Sequence, residues 1–314
     1  VDINGKIIET VTYAVDPYAN SVSVNGDKGY VLDINEKSTK PIGFTNHPSP
    51  ILSEKDDSII YEMHIRDFTI DESSGVINDL RGTYLGAVEE NTIYKNPYNG
   101  KYVKTGIDHL CELGITHVHL MPIFDFGSVD ERFPGSNNRN WGYDPKNFNV
   151  PEGSYCSNPY NPVTRILELR QMIMKFHERG IRVVMDMVYN HMMSTVNMDN
   201  IVPGYYFRSD YLGRYTNGSG CGNELASERP MVRKFIIDSC LHWIKDYKID
   251  GIRFDLMELL DIDTTKEIVK KTTKLDKNFL IYGEPWKGGS SPLVNGTYKG
   301  SQKNENFSIF NDTF

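Results

Sequence analysis

Apolar runs of strand length alternate with stretches of helical periodicity over most of the chain. The strand-like runs lie at residues 59–65, 117–124, 181–188, 251–256 and 279–283, with a shorter sixth run at 309–310. Strands that are apolar on both faces and are separated by helices are typical of a parallel sheet covered by helices. The pattern therefore predicts an α/β domain with a parallel sheet.

Helical patterns fill the intervals between these runs. Residues 107–113 and 166–176 carry apolar side chains at helical spacing and are followed by Gly114 and Gly180. Glycine just past the last apolar position is a common helix terminator. A third pattern begins after Pro230, and proline is favoured in the first turn of a helix.

The first 50 residues follow a different pattern. Short β-type runs lie at residues 10–15, 21–24 and 30–34. The Asn25-Gly26 pair between them is a turn signal. Three prolines between residues 41 and 50 indicate a connector, because proline has no donor N–H and favours extended backbone before it. We therefore predict two regions, which are a small β unit with its linker over residues 1–50 and the α/β domain over residues 51–314.

Composition and charge exclude several classes of protein. The 314 residues include 34 Lys and Arg against 42 Asp and Glu, a net charge of −8, and they contain no Lys/Arg-rich cluster. Neither a nucleic acid nor an anionic membrane is therefore expected as a partner. No apolar run reaches the roughly 18 residues of a membrane span. The four widely spaced cysteines indicate neither a zinc site nor a disulfide framework, and they slightly favour a reducing compartment.

Polar residues follow the strand-like runs at their carboxyl ends. They are Arg66-Asp67, Asp125, Asn190-His191, Asp255 and Glu284. The carboxyl ends of all strands converge on one face of a (β/α)8 barrel, whereas in an open doubly wound sheet they meet only near the switch point. We therefore predict a (β/α)8 (TIM) barrel with its chemistry on this rim. The strand-to-helix turns also lack the GxGxxG and GxxxxGK[ST] motifs of nucleotide-binding domains.

Two carboxylates on consecutive strand ends suggest cleavage of a glycosidic bond. Arg253 and Asp255 share one face of their strand, so the arginine is expected to lower the pKa of Asp255 and to hold it ionised as a nucleophile. Glu284 lies near apolar Pro285 and Trp286, and such surroundings raise the pKa of a general acid. Retaining glycosidases place such a pair about 5 Å apart. On spacing alone, a structural ion-pair network at the rim explains these residues equally well.

A third segment, Asp-Met-Val-Tyr-Asn-His at residues 186–191, contributes to the same rim. Alternation along the strand lets Asp186 steady Arg253, while His191, just past the strand end, is placed to donate to a sugar hydroxyl. A loop histidine without a ligand is the alternative for His191. The candidate platforms for stacking of sugar rings are Trp141, Tyr143 and Trp286. Each of these three aromatic residues also fits a place in the core.

Together these segments resemble the alpha-amylase superfamily of glycoside hydrolases. Its regions I, II and III are similar to residues 186–191, 251–255 and 282–286, which follow in this order on consecutive predicted strands. Within the superfamily, a resemblance to the type I pullulanases is carried by residues 61–68, 140–145 and 202–206. Residues 16–34 look like the end of the β-sandwich carbohydrate-binding module that precedes such barrels. The resemblance covers essentially the whole chain.

The resemblance implies hydrolysis of α-1,6 branch linkages in pullulan, amylopectin or glycogen by a retaining mechanism. It implies that Asp255 is the nucleophile and Glu284 the general acid/base. The implied substrate-binding residues are Tyr143, His191, Arg253 and Trp286. In the family, the tyrosine stacks at the cleavage subsite, the histidine and the arginine hold the sugar and the nucleophile, and the tryptophan stacks on the leaving-group side.

No cofactor is expected to be required, and calcium is left open. Asn190 aligns with a residue that binds structural calcium in many amylases. We favour support of the strand end as the role of Asn190, because no further acidic cluster in the sequence compels a metal site.

Three departures from the family pattern bear on function. Arg139 replaces the tyrosine that normally precedes Asn-Trp-Gly-Tyr-Asp-Pro, after an unusual loop at residues 131–138, and Glu258 stands where a small residue is usual. Both bear on chain-length or branch preference. The third departure is the absence of the family's His-Asp pair after strand seven, whose aspartate is the third essential carboxylate. We therefore expect a barrel truncated after about five to six βα units, completed by a C-terminal segment of the same protein, and little or no hydrolysis by this chain alone.

Two other functions fit parts of the pattern. An isoamylase-like or α-1,4-cleaving relative is the alternative within the enzyme class. A non-catalytic glucan-binding protein that keeps the stacking aromatic residues is the alternative from another class. The presence of Asp255 and Glu284 argues against the binding protein, whereas the missing third carboxylate argues for it. An α-glucan is the expected partner in every case.

Overall fold

The computed structural model describes residues 11–133 and 139–312, and its centre is a six-stranded parallel sheet. The strands of the whole structure are β1 (Ile60–Met63), β2 (Ile93–Lys95), β3 (Tyr102–Lys104), β4 (His117–Leu120), β5 (Phe124–Phe126), β6 (Pro145–Pro151), β7 (Arg182–Met187), β8 (Gly251–Phe254), β9 (Leu280–Gly283) and β10 (Ser308–Ile309). The α-helices are α1 (Ile65–Thr69), α2 (Gly106–Leu113), α3 (Pro162–Glu178), α4 (Val196–Ile201), α5 (Pro230–Tyr247) and α6 (Ile262–Thr273).

The central strands lie in the order β1, β4, β7, β8, β9 and β10, and each neighbouring pair is parallel. A helix precedes each of β4, β7, β8 and β9 along the chain. These four strands are buried along their whole length, as expected of parallel strands whose two faces are both covered. The arrangement is that of consecutive βα units in a (β/α)8 barrel, and it confirms the predicted fold class.

The sequence signals for the helix ends are confirmed in the helices that cover the sheet. α2 ends at Gly114, whose φ of 74° lies in the left-handed region that glycine adopts without strain. α3 begins with Pro162 after Asn161, whose side chain accepts a hydrogen bond from the Val163 amide at 3.1 Å. α5 begins with Pro230. Within residues 11–133 and 139–312, no helix combines the length and the apolar character that crossing a bilayer requires.

The apolar run at residues 117–124 does not form a single strand. β4 ends at Leu120, and Pro122 lacks the N–H that a strand ladder needs. The chain then enters β5, which pairs with the antiparallel β6 outside the central sheet. Because Tyr143 lies two residues before β6, this β5–β6 unit determines where Tyr143 is placed.

Residues 11–50 differ from their prediction. Their backbone pairing consists of one isolated bridge between Val22 and Gly29, and the predicted strands are not formed in this segment. Val31 is fully exposed, so pairing its run with a second strand buries little apolar surface, and isolated strand pairs are marginally stable at best. Residues 1–10 lie outside the described residues, and the carbohydrate-module interpretation stays a prediction.

The predicted Asn25-Gly26 turn does form, and it rests on the barrel. Both residues have positive φ, 63° and 71°. The Asn25 amide donates to Glu131 at 2.6 Å, and the Gly26 carbonyl accepts from Asn147 at 3.0 Å. A Cβ atom at position 26 would collide with the Asp125 carboxylate, so the close approach requires glycine.

This turn contacts a buried cluster of three carboxylates and one arginine. Oxygen atoms of Asp125, Glu131 and Glu152 lie within 4.8 Å of one another. Arg165 of α3 is fully buried and donates to Asp125 at 3.3 Å and to Glu131 at 2.7 Å. Burial, with repulsion between the carboxylates, raises the pKa of Glu152 well above its ordinary value and that of Asp125 to about 7. The cluster joins the turn, the β5–β6 unit and α3.

We expect Arg165→Leu to lower the free energy of unfolding by about 3–5 kcal/mol, because it leaves buried carboxylates without their cation. The matched control is Lys175→Leu on the same helix, whose ion pairs with Glu90 and Glu178 are partly exposed. Exposed ion pairs of this kind contribute about 0–1 kcal/mol to the free energy of unfolding. Urea unfolding followed by circular dichroism measures both variants, and equal losses would contradict a special role for the buried cluster.

Candidate active site

The charged residues of the predicted site lie on adjacent strands at one end of the sheet. Asp186 of β7 is directly opposite Arg253 of β8 in the parallel register. The main-chain hydrogen bonds of the sheet continue past the strand ends. The Asp255 amide donates to the Met187 carbonyl of β7 at 3.1 Å, and the Glu284 amide donates to the Phe254 carbonyl of β8 at 3.1 Å. Main-chain hydrogen bonds therefore determine where both carboxylates stand on the rim.

Arg253 is the centre of this site. Its side chain is almost fully buried, and Nη1 donates to both oxygens of Asp186, at 2.8 and 2.9 Å, and to Oδ1 of Asp255 at 3.1 Å. The other terminal nitrogen, Nη2, contacts Oε1 of Glu284. Because the two nitrogens belong to one planar guanidinium, Asp255 and Glu284 are held close to each other, as the carboxylate pair of a retaining glycosidase must be.

Asp186 orients Arg253 from the barrel interior. It is completely buried and also accepts hydrogen bonds from the Tyr143 hydroxyl at 2.8 Å and from Nε2 of His119 at 3.3 Å. Burial opposes its ionisation, but the hydrogen bond from His119 and the charge of Arg253 outweigh burial and lower the pKa of Asp186. Asp186 is therefore held as an anion between these donors.

Asp255 is buried among charges of both signs. Asn190 donates to its Oδ2 at 2.7 Å, and Arg253 donates to its Oδ1. Burial and the neighbouring carboxylates of Asp186 and Glu284 outweigh these contacts and raise the pKa of Asp255 to about 7. Arg253 does lower this pKa, as predicted, but its charge does not outweigh burial and the neighbouring carboxylates.

Glu284 is anchored from two sides. Its Oε1 contacts Arg253, and its Oε2 accepts a hydrogen bond from the Leu256 amide at 3.1 Å. Leu256 has a left-handed backbone with φ of 43°, a conformation that is uncommon outside glycine. Glu284 therefore meets a cation and an amide, and not only the apolar surroundings that the neighbouring Trp286 suggested.

His191 and Asn190 brace the rim beside Asp255. His191 is buried, and its Nδ1 lies 2.6 Å from the amide oxygen of Asn190. Burial lowers the pKa of His191, which favours the neutral ring. Asn190 in turn donates to the carboxylate and the carbonyl of Asp255, at 2.7 and 3.1 Å. These contacts support the expected role of Asn190 at the strand end.

An open cleft of about 660 Å³ lies over these groups, a volume within the range of small-molecule sites. Of the six predicted site residues, the structure brings together Tyr143, His191, Arg253, Asp255 and Glu284 along this cleft. The sixth, Trp286, does not line it among the described residues; it is 37% exposed and lies against Phe310, with ring centroids 6.3 Å apart.

Sequence reasoning missed three contributors to this site. His119 lies in a predicted strand and neighbours Asp186, so its position in that strand was a usable signal. Cys221 lines the cleft, and burial together with the charge of Asp255 raises the pKa of its thiol. The Leu256 amide carried no signal, since its direction depends on a left-handed backbone that the sequence does not indicate.

The two unusual residues of the rim are held by ion pairs. Arg139 donates from Nε to Asp67 at 2.7 Å, and its guanidinium lies over the ring of Trp141, 5.8 Å from the centroid. It therefore braces an indole that is 55% exposed at the cleft. Glu258 pairs with a lysine at 2.7 Å. Residues 134–138, within the unusual loop before Arg139, lie outside the described residues.

Two groups of side chains in the described ranges have the spacing of metal ligands. They are Glu62 with His119 and Asp186, and Asp125 with Glu131 and Glu152. Asp186 is already paired with Arg253. In the acidic group, each of the six carboxylate oxygens accepts a hydrogen bond from a protein N–H. Such occupied oxygens do not fit calcium, which takes about six to eight oxygen ligands, so no calcium is assigned.

Parallel βα units with two carboxylates on adjacent strand ends define an α/β-barrel glycoside hydrolase type of site. Residues 101–202 match the alpha amylase catalytic domain. The pullulanase of Bacillus subtilis (strain 168) is 46% identical over 286 residues, which cover 90% of this chain and 37% of the relative. The chloroplastic isoamylase 3 of Oryza sativa subsp. japonica is 35% identical and covers 92% of this chain and 39% of its own length.

A solved structure agrees with these relatives. The pullulanase from Paenibacillus barengoltzii, in complex with maltohexaose and alpha-cyclodextrin, matches with a TM-score of 0.89 and 45% identity over 95% of this chain and 46% of that chain. The chain therefore belongs to the alpha-amylase family. Within that family it is a relative of the pullulanases, as the sequence motifs predict, and it spans less than half the length of the relatives it matches.

We expect Asp255→Asn to stabilise the protein, and more at pH 8 than at pH 5. The pKa of Asp255 in the folded state, about 7, lies above its ordinary value. Its contribution to stability is therefore complete below about pH 4 and is lost as the pH rises through 7. Asparagine mimics the protonated form, so we expect the melting temperature to rise by about 2–4 °C at pH 8.

Thermal melts at both pH values measure this effect. The matched control is Asp263→Asn, which neutralises a carboxylate whose side chain is 74% exposed on α6. An equal gain for Asp255→Asn at both pH values, or an equal gain for the control, would contradict the electrostatic origin.

Proposed function

We propose that this chain carries the catalytic pair of a pullulanase-type enzyme that hydrolyses α-1,6 branch linkages. The observation that carries the proposal is the placement of Asp255 and Glu284 on adjacent strand ends, with the two terminal nitrogens of Arg253 between them. Relatives named pullulanase and isoamylase, one of them solved with maltohexaose, support an α-glucan substrate such as pullulan, amylopectin or glycogen. The proposal assigns the catalytic region to residues 51–314.

The proposed reaction is a double displacement. Asp255 attacks the anomeric carbon while Glu284 protonates the departing glycosidic oxygen, which leaves a glycosyl ester on Asp255. Glu284 then takes a proton from a water molecule that hydrolyses the ester and regenerates both carboxyl groups. The reaction needs a charged nucleophile beside a protonated acid.

The reaction has to overcome the raised pKa of Asp255. The negative charge of Glu284 is one of the causes of that rise. In the proposed reactive state the proton resides on Glu284, which removes this repulsion from the nucleophile.

The groups around the pair are suited to bind sugar rings. In the proposal, Tyr143 stacks on the sugar at the cleavage subsite, and His191 and Arg253 hold the sugar and the nucleophile. Trp286 stacks on the leaving-group side, and its partly exposed indole offers the apolar face that this role requires.

The test is incubation of the chain with pullulan, alone and together with a separately produced companion segment that carries the third carboxylate of the family. We expect maltotriose only in the mixture, because a carboxylate that stabilises the transition state affects the rate by orders of magnitude. Panose or isopanose would instead indicate α-1,4 cleavage. No product in either sample, despite binding of glucan, would indicate a binding protein and contradict the proposal.

In the mixture, we expect Asp255→Asn and Glu284→Gln each to lower kcat on the order of 10³-fold or more, because each removes a group that reacts directly. The control is Asp263→Asn, which neutralises an exposed carboxylate of α6 that has no part in the proposed reaction. Steady-state release of reducing sugar measures all three. A loss of similar size in the control would assign the effect to general disturbance of the fold.

A further inference from the structure

His119 of β4 lies at the base of the site and has no role in the proposed reaction. Its Nε2 is 3.3 Å from Oδ2 of Asp186, and the exposed fractions of the two side chains are 4% and 0%. The ring of Tyr282 meets the imidazole at 90°, with centroids 5.8 Å apart. Packing against an aromatic edge therefore holds the imidazole in a defined orientation.

The contact with Asp186 defines which nitrogen of His119 carries a proton. Asp186 is ionised and can only accept hydrogen bonds, so Nε2 must be the donor. Three donors converge on Oδ2 of Asp186, namely Nε2 of His119, the Tyr143 hydroxyl and Nη1 of Arg253. Two of these donors come from groups that face the cleft, whereas His119 is not among the residues that line it in the described part of the chain.

The neighbouring strand adds a second carboxylate beside the imidazole. Glu62 of β1 is directly opposite His119 in the parallel register. Ligand atoms of Glu62, His119 and Asp186 all lie within 4.8 Å of one another. His119 therefore lies close to two carboxylates. Their negative charge favours a ring nitrogen that donates a hydrogen bond over one that accepts it.

We propose that His119 is a positioning residue, which holds Asp186 in the orientation that presents Arg253 to Asp255 and Glu284. Its kinetic consequence rests on the proposed function. Without this donor, Tyr143 and Arg253 are the only side chains among the described residues that hold the carboxylate of Asp186, and in the proposed function both also serve the substrate side. A misplacement of about 1 Å at a catalytic group costs on the order of 10²-fold in rate.

The experiment compares three variants in the mixture that hydrolyses pullulan. His119→Leu removes the donor, His119→Gln keeps an N–H donor, and His117→Leu is the matched control. His117 is equally buried on the same strand, two residues earlier, and its ring contacts Thr116 at 2.8 Å. We expect His119→Leu to lower kcat about 10- to 100-fold with little change in KM, His119→Gln to recover most of kcat, and the control to keep it.

The opposite outcomes would overturn the proposal. A loss of kcat in His117→Leu that equals the loss in His119→Leu, or no recovery in His119→Gln, would assign the effect to the packing of β4. A rise in KM with unchanged kcat would assign His119 to substrate binding instead.

A second measurement on the chain alone does not depend on activity. In spectra of ¹⁵N-labelled histidine at about pH 8, we expect Nε2 of His119 to be protonated. We also expect the ¹³C resonance of the Asp186 carboxylate to shift in His119→Leu and not in His117→Leu. An unprotonated Nε2, or an unchanged Asp186 resonance, would overturn the proposal. If the native mixture releases no maltotriose, the proposed function fails, and these spectra still decide the role of His119.

Discussion

The buried ion pair between Asp186 and Arg253 is the contact on which the geometry of the site depends. Removing two such charges from water costs several kcal/mol per ion, so the pair persists only where hydrogen bonds offset that cost. Here Tyr143 and His119 complete the shell of Asp186, while Arg253 reaches across to both rim carboxylates. Because the pair links β7 to β8 and β9, the positions of the two rim carboxylates follow from one buried contact and the parallel register.

The group of charged side chains around Arg253 contains more negative than positive charge. One guanidinium serves three carboxylates, so the site is short of positive charge unless a proton is taken up. The proposed α-glucan substrate is neutral and does not add to this imbalance. The oxocarbenium-like transition state of glycoside cleavage develops positive charge, which surplus negative charge stabilises. The raised pKa of Asp255 expresses the same imbalance.

The same combination of three carboxylates with one arginine occurs a second time, around Arg165, with a different consequence. There each carboxylate oxygen accepts a protein N–H, the group is sealed from solvent, and it joins the turn at residues 25–26 to the β5–β6 unit. Around Arg253, Asp255 and Glu284 are partly exposed to a cleft, whereas Asp186 is completely buried. Access to the cleft, and not composition, separates the cluster of the candidate site from the supporting one. Because Tyr143 lies two residues before β6, the supporting cluster also helps to place a residue of the site.

The sequence by itself determined the order of the central strands and of the helices α2, α3 and α5, and it placed Asp255 and Glu284 at strand ends, because apolar periodicity, helix terminators and strand-end positions are local properties. Only the tertiary structure decided the raised pKa of Asp255, the contact of His119 with Asp186 and the hydrogen bond from the amide of Leu256, whose backbone is left-handed, to Glu284. The tertiary structure also decided that residues 11–50 do not form the predicted strands and that hydrogen bonds with Glu131 and Asn147 hold their turn on the barrel. The physical reason is that pKa values and hydrogen bonds depend on distances between atoms of different strands, and spacing along the chain does not contain those distances.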